Sequence, residues 1–141
     1  MRTERTATPA PDTTIVVGYT PTPAGEAAVR AAVDEARLRG ASLYVVNVSR
    51  GDAYVDRNLA SRQHLNELQR LLAESGIQHR VVQEVGRGEP SEELLRAVEE
   101  TNAALVVIGL RHRTPVGKLL LGSTAQQILL DAPCPVLGVK P

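Results

Sequence analysis

The sequence predicts an α/β fold: a doubly wound, five-stranded parallel sheet of order 3-2-1-4-5 with helices on both faces. Two observations carry this. Five short runs rich in Val, Ile and Leu recur along the chain, the pattern of strands buried on both faces. Between them lie segments whose apolar residues return at helical spacing. Strict alternation of the two implies parallel strands joined by right-handed crossovers. With 141 residues and no internal repeat or low-complexity linker, the chain suits one domain. Its expected extent is 13–141. Met1 to Asp12 is rich in Thr, Pro, Ala and Arg, lacks an apolar targeting core, and is expected to be a disordered tail.

The elements follow in order. Thr14-Ile-Val-Val-Gly-Tyr19 is the first strand. Thr22 can cap the next helix and Pro23 fits its first position. Ala28, Val29, Ala32, Val33 and Ala36 mark its buried stripe, and Gly40 ends it. Leu43 to Val48 is the second strand, followed by a polar loop, Ser49 to Asp56. Leu59, Leu65, Leu68 and Leu72 mark a second helix ending at Ser75-Gly76. Val81 to Val85 is more polar and is expected at a sheet edge. Pro90 opens a third helix, with Glu89, Glu92 and Glu93 at its positive end. Ala103 to Gly109 is the fourth strand. Ser123 to Ala132 is the fourth helix, with Ala125, Ile128 and Leu129 expected on its apolar face. Pro135 to Lys140 is the last strand.

Composition excludes several function classes. Sixteen basic residues balance sixteen acidic ones, which argues against a nucleic-acid binder. With three tyrosines and no Phe or Trp, base-stacking platforms are hard to build. No apolar run approaches the roughly 20 residues of a membrane span. The lone cysteine, Cys134, suits a reducing cytoplasm and is expected to be buried and inert. No Cys/His cluster has metal-ligand spacing. His64 and His79 are expected at the surface.

In doubly wound sheets, ligands sit at the carboxyl ends of the strands, where the strand order reverses. For order 3-2-1-4-5 that crevice lies between strands 1 and 4, so Gly18–Thr22 and Gly109–Thr124 should face one another. The second of these runs from a strand end through Arg111, Arg113 and Lys118 to Gly122-Ser123-Thr124 at a helix start. A basic, glycine-containing loop entering a helix N-terminus is suited to anions and phosphates. Solvated loop charges and plain helix capping are the bland alternatives. The first loop, Gly-Tyr-Thr-Pro-Thr-Pro, lacks the Gly-x-Gly-x-x-Gly of a dinucleotide dehydrogenase.

Together these residues resemble the universal stress protein family, from Thr14 to Lys140. The resemblance rests on Ile-Val-Val-Gly at strand 1, Leu-Tyr-Val-Val-Asn-Val at strand 2 and Gly88-Glu89-Pro90 before helix 3. Most specific are Leu-Val-Val-Ile-Gly, the later Gly-Ser, and the Ala-Pro-Cys-Pro-Val run into strand 5. The resemblance implies a Rossmann-like sheet of the HUP type and an adenine nucleotide site. ATP-binding members carry Gly-x-x-Gly, nine residues, then Gly-Ser or Gly-Thr. Gly109, Gly122 and Ser123 match; His112 stands at the second glycine. A left-handed or closely approached backbone favours glycine, and the imidazole would crowd a phosphate channel while offering it a hydrogen bond. Thr20 stands where members often carry Asp, which removes a carboxylate that could hold ribose or magnesium.

On this basis the nucleotide-binding residues expected are Thr20, Val48, Gly109, Arg111, His112, Arg113, Gly122, Ser123 and Thr124. Val48 would offer its backbone to the base. The cofactor expected is ATP or another adenine nucleotide, and magnesium could accompany it. The chain is expected to be a cytoplasmic binding protein of the stress response, not an enzyme, with slow ATP hydrolysis left open. An apolar last strand at a sheet edge would be covered by its copy across a two-fold axis, so a homodimer through Val136–Val139 is expected, with neither nucleic acid nor membrane as partner. The alternative is a dimeric interaction module whose nucleotide site has decayed.

Overall fold

The computed structural model describes residues 13–49, 60–85, 89–110 and 121–141. Met1 to Asp12, the first part of the expected domain layout, lies outside them. In chain order the elements are β1 (Thr14–Gly18), α1 (Pro23–Arg39), β2 (Ser42–Ser49), α2 (Arg62–Ser75), β3 (His79–Val85), α3 (Pro90–Thr101), β4 (Leu105–Gly109), α4 (Ser123–Asp131) and β5 (Val136–Val139). The strands form a parallel sheet of order β3-β2-β1-β4-β5, as expected from the sequence. β1 is central: Ile15 pairs with Leu43 on one side and Leu105 on the other.

The alternation of β1 divides the core. Ile15 and Val17 pack with Ala28, Ala32, Leu43, Val45, Leu68, Leu72 and Val107, the layer under α1 and α2. Val16 packs with Val46, Leu94, Val98, Val106, Ile108 and Ile128, the layer under α3 and α4. Ala28, Ala32 and Ala36 are fully buried, so α1 approaches the sheet closely, which its small side chains permit.

The helix boundaries follow local chemistry. Thr22 adopts an extended backbone and its hydroxyl accepts from the Gly25 N–H at 3.1 Å, with Pro23 in the first turn. Gly40 ends α1 in the left-handed region, with φ 64°. Ser61 and His64 form a capping box at the start of α2. Leu68 and Leu72 are buried there, whereas Leu59 lies outside the described residues.

Three expectations need correction. Leu129 does not face the core: it is 50% exposed, and Ala125 and Ile128 carry the buried side of this short helix. Its neighbour Leu130 is 79% exposed. His64 and His79 are half-buried, because both are tied to the backbone: His64 Nδ1 accepts from the Ser61 N–H at 3.2 Å, and His79 Nδ1 lies 2.8 Å from the Ile77 carbonyl oxygen. Cys134 is half-buried where full burial was expected, since it sits in the turn between α4 and β5 at the sheet's edge. Burial still pushes its thiol above the usual range.

Candidate functional site

The carboxyl ends of β1 and β4 bring two chain segments together. After β1 the chain turns sharply: the Thr22 N–H donates to the Thr20 carbonyl at 2.8 Å, and the Thr20 and Thr22 hydroxyls are hydrogen-bonded at 2.8 Å. The first turn of α1 then folds back over Thr20. A β-carbon on Gly25 would stand 2.0 Å from the Thr20 carbonyl oxygen, so only glycine permits this approach. The same turn presses on β4. A β-carbon on Gly109 would stand 2.3 Å from the Ala24 carbonyl oxygen. The end of β4 and the first turn of α1 are therefore in direct contact.

On the β4 side, α4 begins with Gly122 as its N-cap, at φ −70° and ψ 169°. This backbone is open to any residue, so conformation does not demand the glycine. Its effect is chemical. Gly122 has no side-chain oxygen to cap the first turn. Ser123 and Thr124 fall inside the helix, and of the three residues Gly122 holds the cap position. A helix N-terminus opened by glycine presents backbone N–H groups and positive partial charge to an incoming anion. Gln126 tightens this turn by donating from Nε2 to the Leu121 carbonyl at 3.0 Å.

On the other side of β1, Val48 lies near the end of β2, in register with Glu84 of β3. Asn47 before it is fully buried, and its amide bonds to Tyr19, Ala60 and Gln83. The structure thus places Thr20, Val48, Gly109, Gly122, Ser123 and Thr124 at the carboxyl ends of the sheet strands or in the segments that follow them. Arg111, His112, Arg113 and Lys118 lie outside the described residues. Among the described residues, no three His, Cys, Asp or Glu side chains are grouped to hold a metal ion.

The sequence reading missed Gly25, Ala24, Asn47 and Gln83. Two of them left a signal. A glycine inside an Ala-rich helical pattern costs about 1 kcal/mol against alanine, so its presence points to a close contact. An asparagine ending an apolar strand points to a buried partner.

Tyr19, 4% exposed, precedes Thr20 and packs in the layer under α1 and α2. Burial, with Glu26 and Glu67 adding to it, holds its phenol above the usual tyrosine value. The unfolded chain therefore loses this proton first as pH rises. Stability from Tyr19 is complete below pH ~10 and declines as pH climbs toward the folded value. Urea midpoints measured between pH 8 and 11 should fall more steeply for the wild type than for Tyr19→Phe. Parallel slopes would show that Tyr19 contributes nothing to the alkaline limb.

Comparison with known proteins agrees with this architecture. The universal stress protein family profile matches residues 13–140. A universal stress protein of Mycolicibacterium smegmatis is 49% identical over 127 residues, covering 90% of this chain and 97% of its own. A universal stress protein of Thermus aquaticus is 32% identical, covering 90% and 98%. Among solved structures, a universal stress protein from Archaeoglobus fulgidus superposes with a TM-score of 0.76 at 30% identity, covering 91% of this chain and 98% of its own. One from the same organism in complex with dAMP gives 0.65 at 26% identity, with the same coverage. Sequence and strand order converge, and the chain belongs to the universal stress protein family.

Proposed function

We propose that this chain binds an adenine nucleotide at the carboxyl end of β1 and β4 and serves the cytoplasmic stress response as a homodimeric sensor or reservoir. The observation that carries the reading is the N-terminus of α4. It is opened by a glycine and follows β4, whose end packs on the same first turn of α1 that packs on Thr20. Phosphate oxygens would take the first-turn N–H groups at Ser123 and Thr124. The Val48 backbone would meet the base, and Thr20 the ribose. Arg111, His112 or Arg113 would add charge or a donor to the phosphates. The dAMP complex of the relative at 26% identity supports an adenine ligand.

The chain is read as a binding protein, with no step of catalysis assigned to any residue. Homodimerisation is read from the last strand: β5 is an edge strand, and Val136, Leu137 and Val139 are only half-buried. Pairing with a second copy would cover that edge. Among the described residues no helix is long and apolar enough to cross a membrane.

The test is direct. Mass spectrometry of ligand released from freshly purified protein, followed by titration with dAMP, AMP and ATP, should show one adenine nucleotide per chain. Sedimentation should give the mass of two chains. A protein that elutes empty and titrates with none of the three would leave the second reading, a dimeric interaction module. That reading is favoured by one observation: the Thr20 hydroxyl is already paired with Thr22.

A further inference from the structure

Asn47 is fully buried on the face of β2 that carries Leu43 and Val45. An apolar residue there would be cheaper to bury, because an amide must find partners or lose several kcal/mol of hydration (about 2–7). Among the described residues, Asn47 finds partners on three different segments. Its Nδ2 donates to the Tyr19 carbonyl at 2.8 Å. Its Oδ1 accepts from the Ala60 N–H at 2.9 Å and from Gln83 Nε2 at 2.9 Å. Gln83 Nε2 also donates to the Ala60 carbonyl at 2.8 Å. The backbone of Ala60 is therefore gripped on both sides by two side-chain amides that are paired across β2 and β3. The amide orientation is dictated by its partners, since a carbonyl can only accept and an N–H can only donate.

The bond to Tyr19 falls where the ladder between β1 and β2 ends. The Tyr19 N–H donates to the Val46 carbonyl at 2.8 Å. In a parallel ladder the next rung would run from the Val48 N–H to the Tyr19 carbonyl. The Asn47 side chain donates to that carbonyl instead.

We propose that Asn47, held by Gln83, is the positioning residue of the base and ribose end of the nucleotide site. It takes the acceptor that a continued ladder would offer Val48, and so leaves the Val48 backbone for the base. It fixes the peptide joining Tyr19 to Thr20. It also anchors Ala60, where the chain returns to the sheet after the segment following β2. A buried network tied to three segments favours one geometry, which is what a preformed base pocket needs. This inference rests on the nucleotide reading above.

The test uses Asn47→Asp, which keeps the shape and the acceptor but loses the donor to Tyr19, and Gln83→Leu at an exposed position that tolerates change. Each is titrated with adenosine and with ATP beside the wild type. Asn47→Asp should weaken both ligands by the same factor, about tenfold, since one hydrogen bond to a buried group is at stake. Gln83→Leu should weaken both by about threefold and leave the chain folded. The Val48 amide resonance, which shifts on adenosine binding in the wild type, should shift less in both variants. Lowered melting with affinities within twofold of the wild type would make Asn47 merely structural and overturn the inference. So would a loss confined to ATP, which would place the effect at the phosphates. If Asn47→Asp fails to fold, Gln83→Leu alone decides by the same criteria. A wild type that binds neither ligand overturns the nucleotide reading itself, and this inference with it.

Discussion

Gly109→Ala is expected to destabilise the protein by about 3 kcal/mol, the upper part of the range for forcing a methyl into a packed interior. The added carbon would lie 2.3 Å from the Ala24 carbonyl oxygen and 2.6 Å from its carbonyl carbon. Both are backbone atoms, so no rotamer change relieves the contact. Either β4 or the first turn of α1 must move. The α1 turn is itself fixed by Pro23, by the Thr22 cap and by the Gly25 contact with Thr20. At this chain length the melting midpoint should fall by about 10 °C. Calorimetry or a circular-dichroism melt reads the effect. A midpoint within about 2 °C of the wild type would mean that β4 and α1 are not pressed together as described.

Gly122→Asp is expected to separate binding from stability. Gly122 already has an extended N-cap backbone that aspartate adopts without strain. The new carboxylate would accept from the first-turn N–H groups of α4 and meet the positive end of its dipole. The gain over glycine is about 0.5 kcal/mol, so the variant should melt at or slightly above the wild type. The same carboxylate occupies the donors a phosphate would use and repels it. Two charge-assisted hydrogen bonds lost correspond to a fall in ATP affinity on the order of 100-fold. Calorimetric titration measures this. Affinity unchanged in a stable Gly122→Asp protein would remove α4 from the site.

Much of the fold can be read in the sequence because its punctuation is strong. Thr22-Pro23 and Gly40 bracket α1 with residues whose backbone preferences leave few alternatives. The apolar run at Ile15–Val17 is buried on both faces, and β3, more polar, lies at the edge. Leu129 misleads because in a nine-residue helix the apolar stripe is defined by two residues, Ala125 and Ile128, and a third leucine fits the period equally well. Gly109 and Gly122 can be read in the sequence as a strand end and a helix start, and the structure has them there. The Asn47 network cannot: its partners include Tyr19, Ala60 and Gln83, and the last is 36 residues away. No local pattern links them. Only the pairing of β2 with β3 places Asn47 beside Gln83.

The position of β1 in the middle of the sheet also sets the order in which this protein can become itself. Its partner on one side, β2, follows directly, but its partner on the other begins at Leu105. A chain emerging from the ribosome can lay β1, β2 and β3 together with α1 and α2 while the opposite flank of β1 is still unmade. Gly109, Gly122 and the start of α4 arrive in the last quarter of synthesis. A growing chain therefore has the carboxyl ends of β1 and β2 long before it has the end of β4 and the start of α4. A nucleotide bound at the ends of β1 and β4, as proposed above, would then mark finished chains alone, and would add its binding energy only to molecules that have closed the sheet.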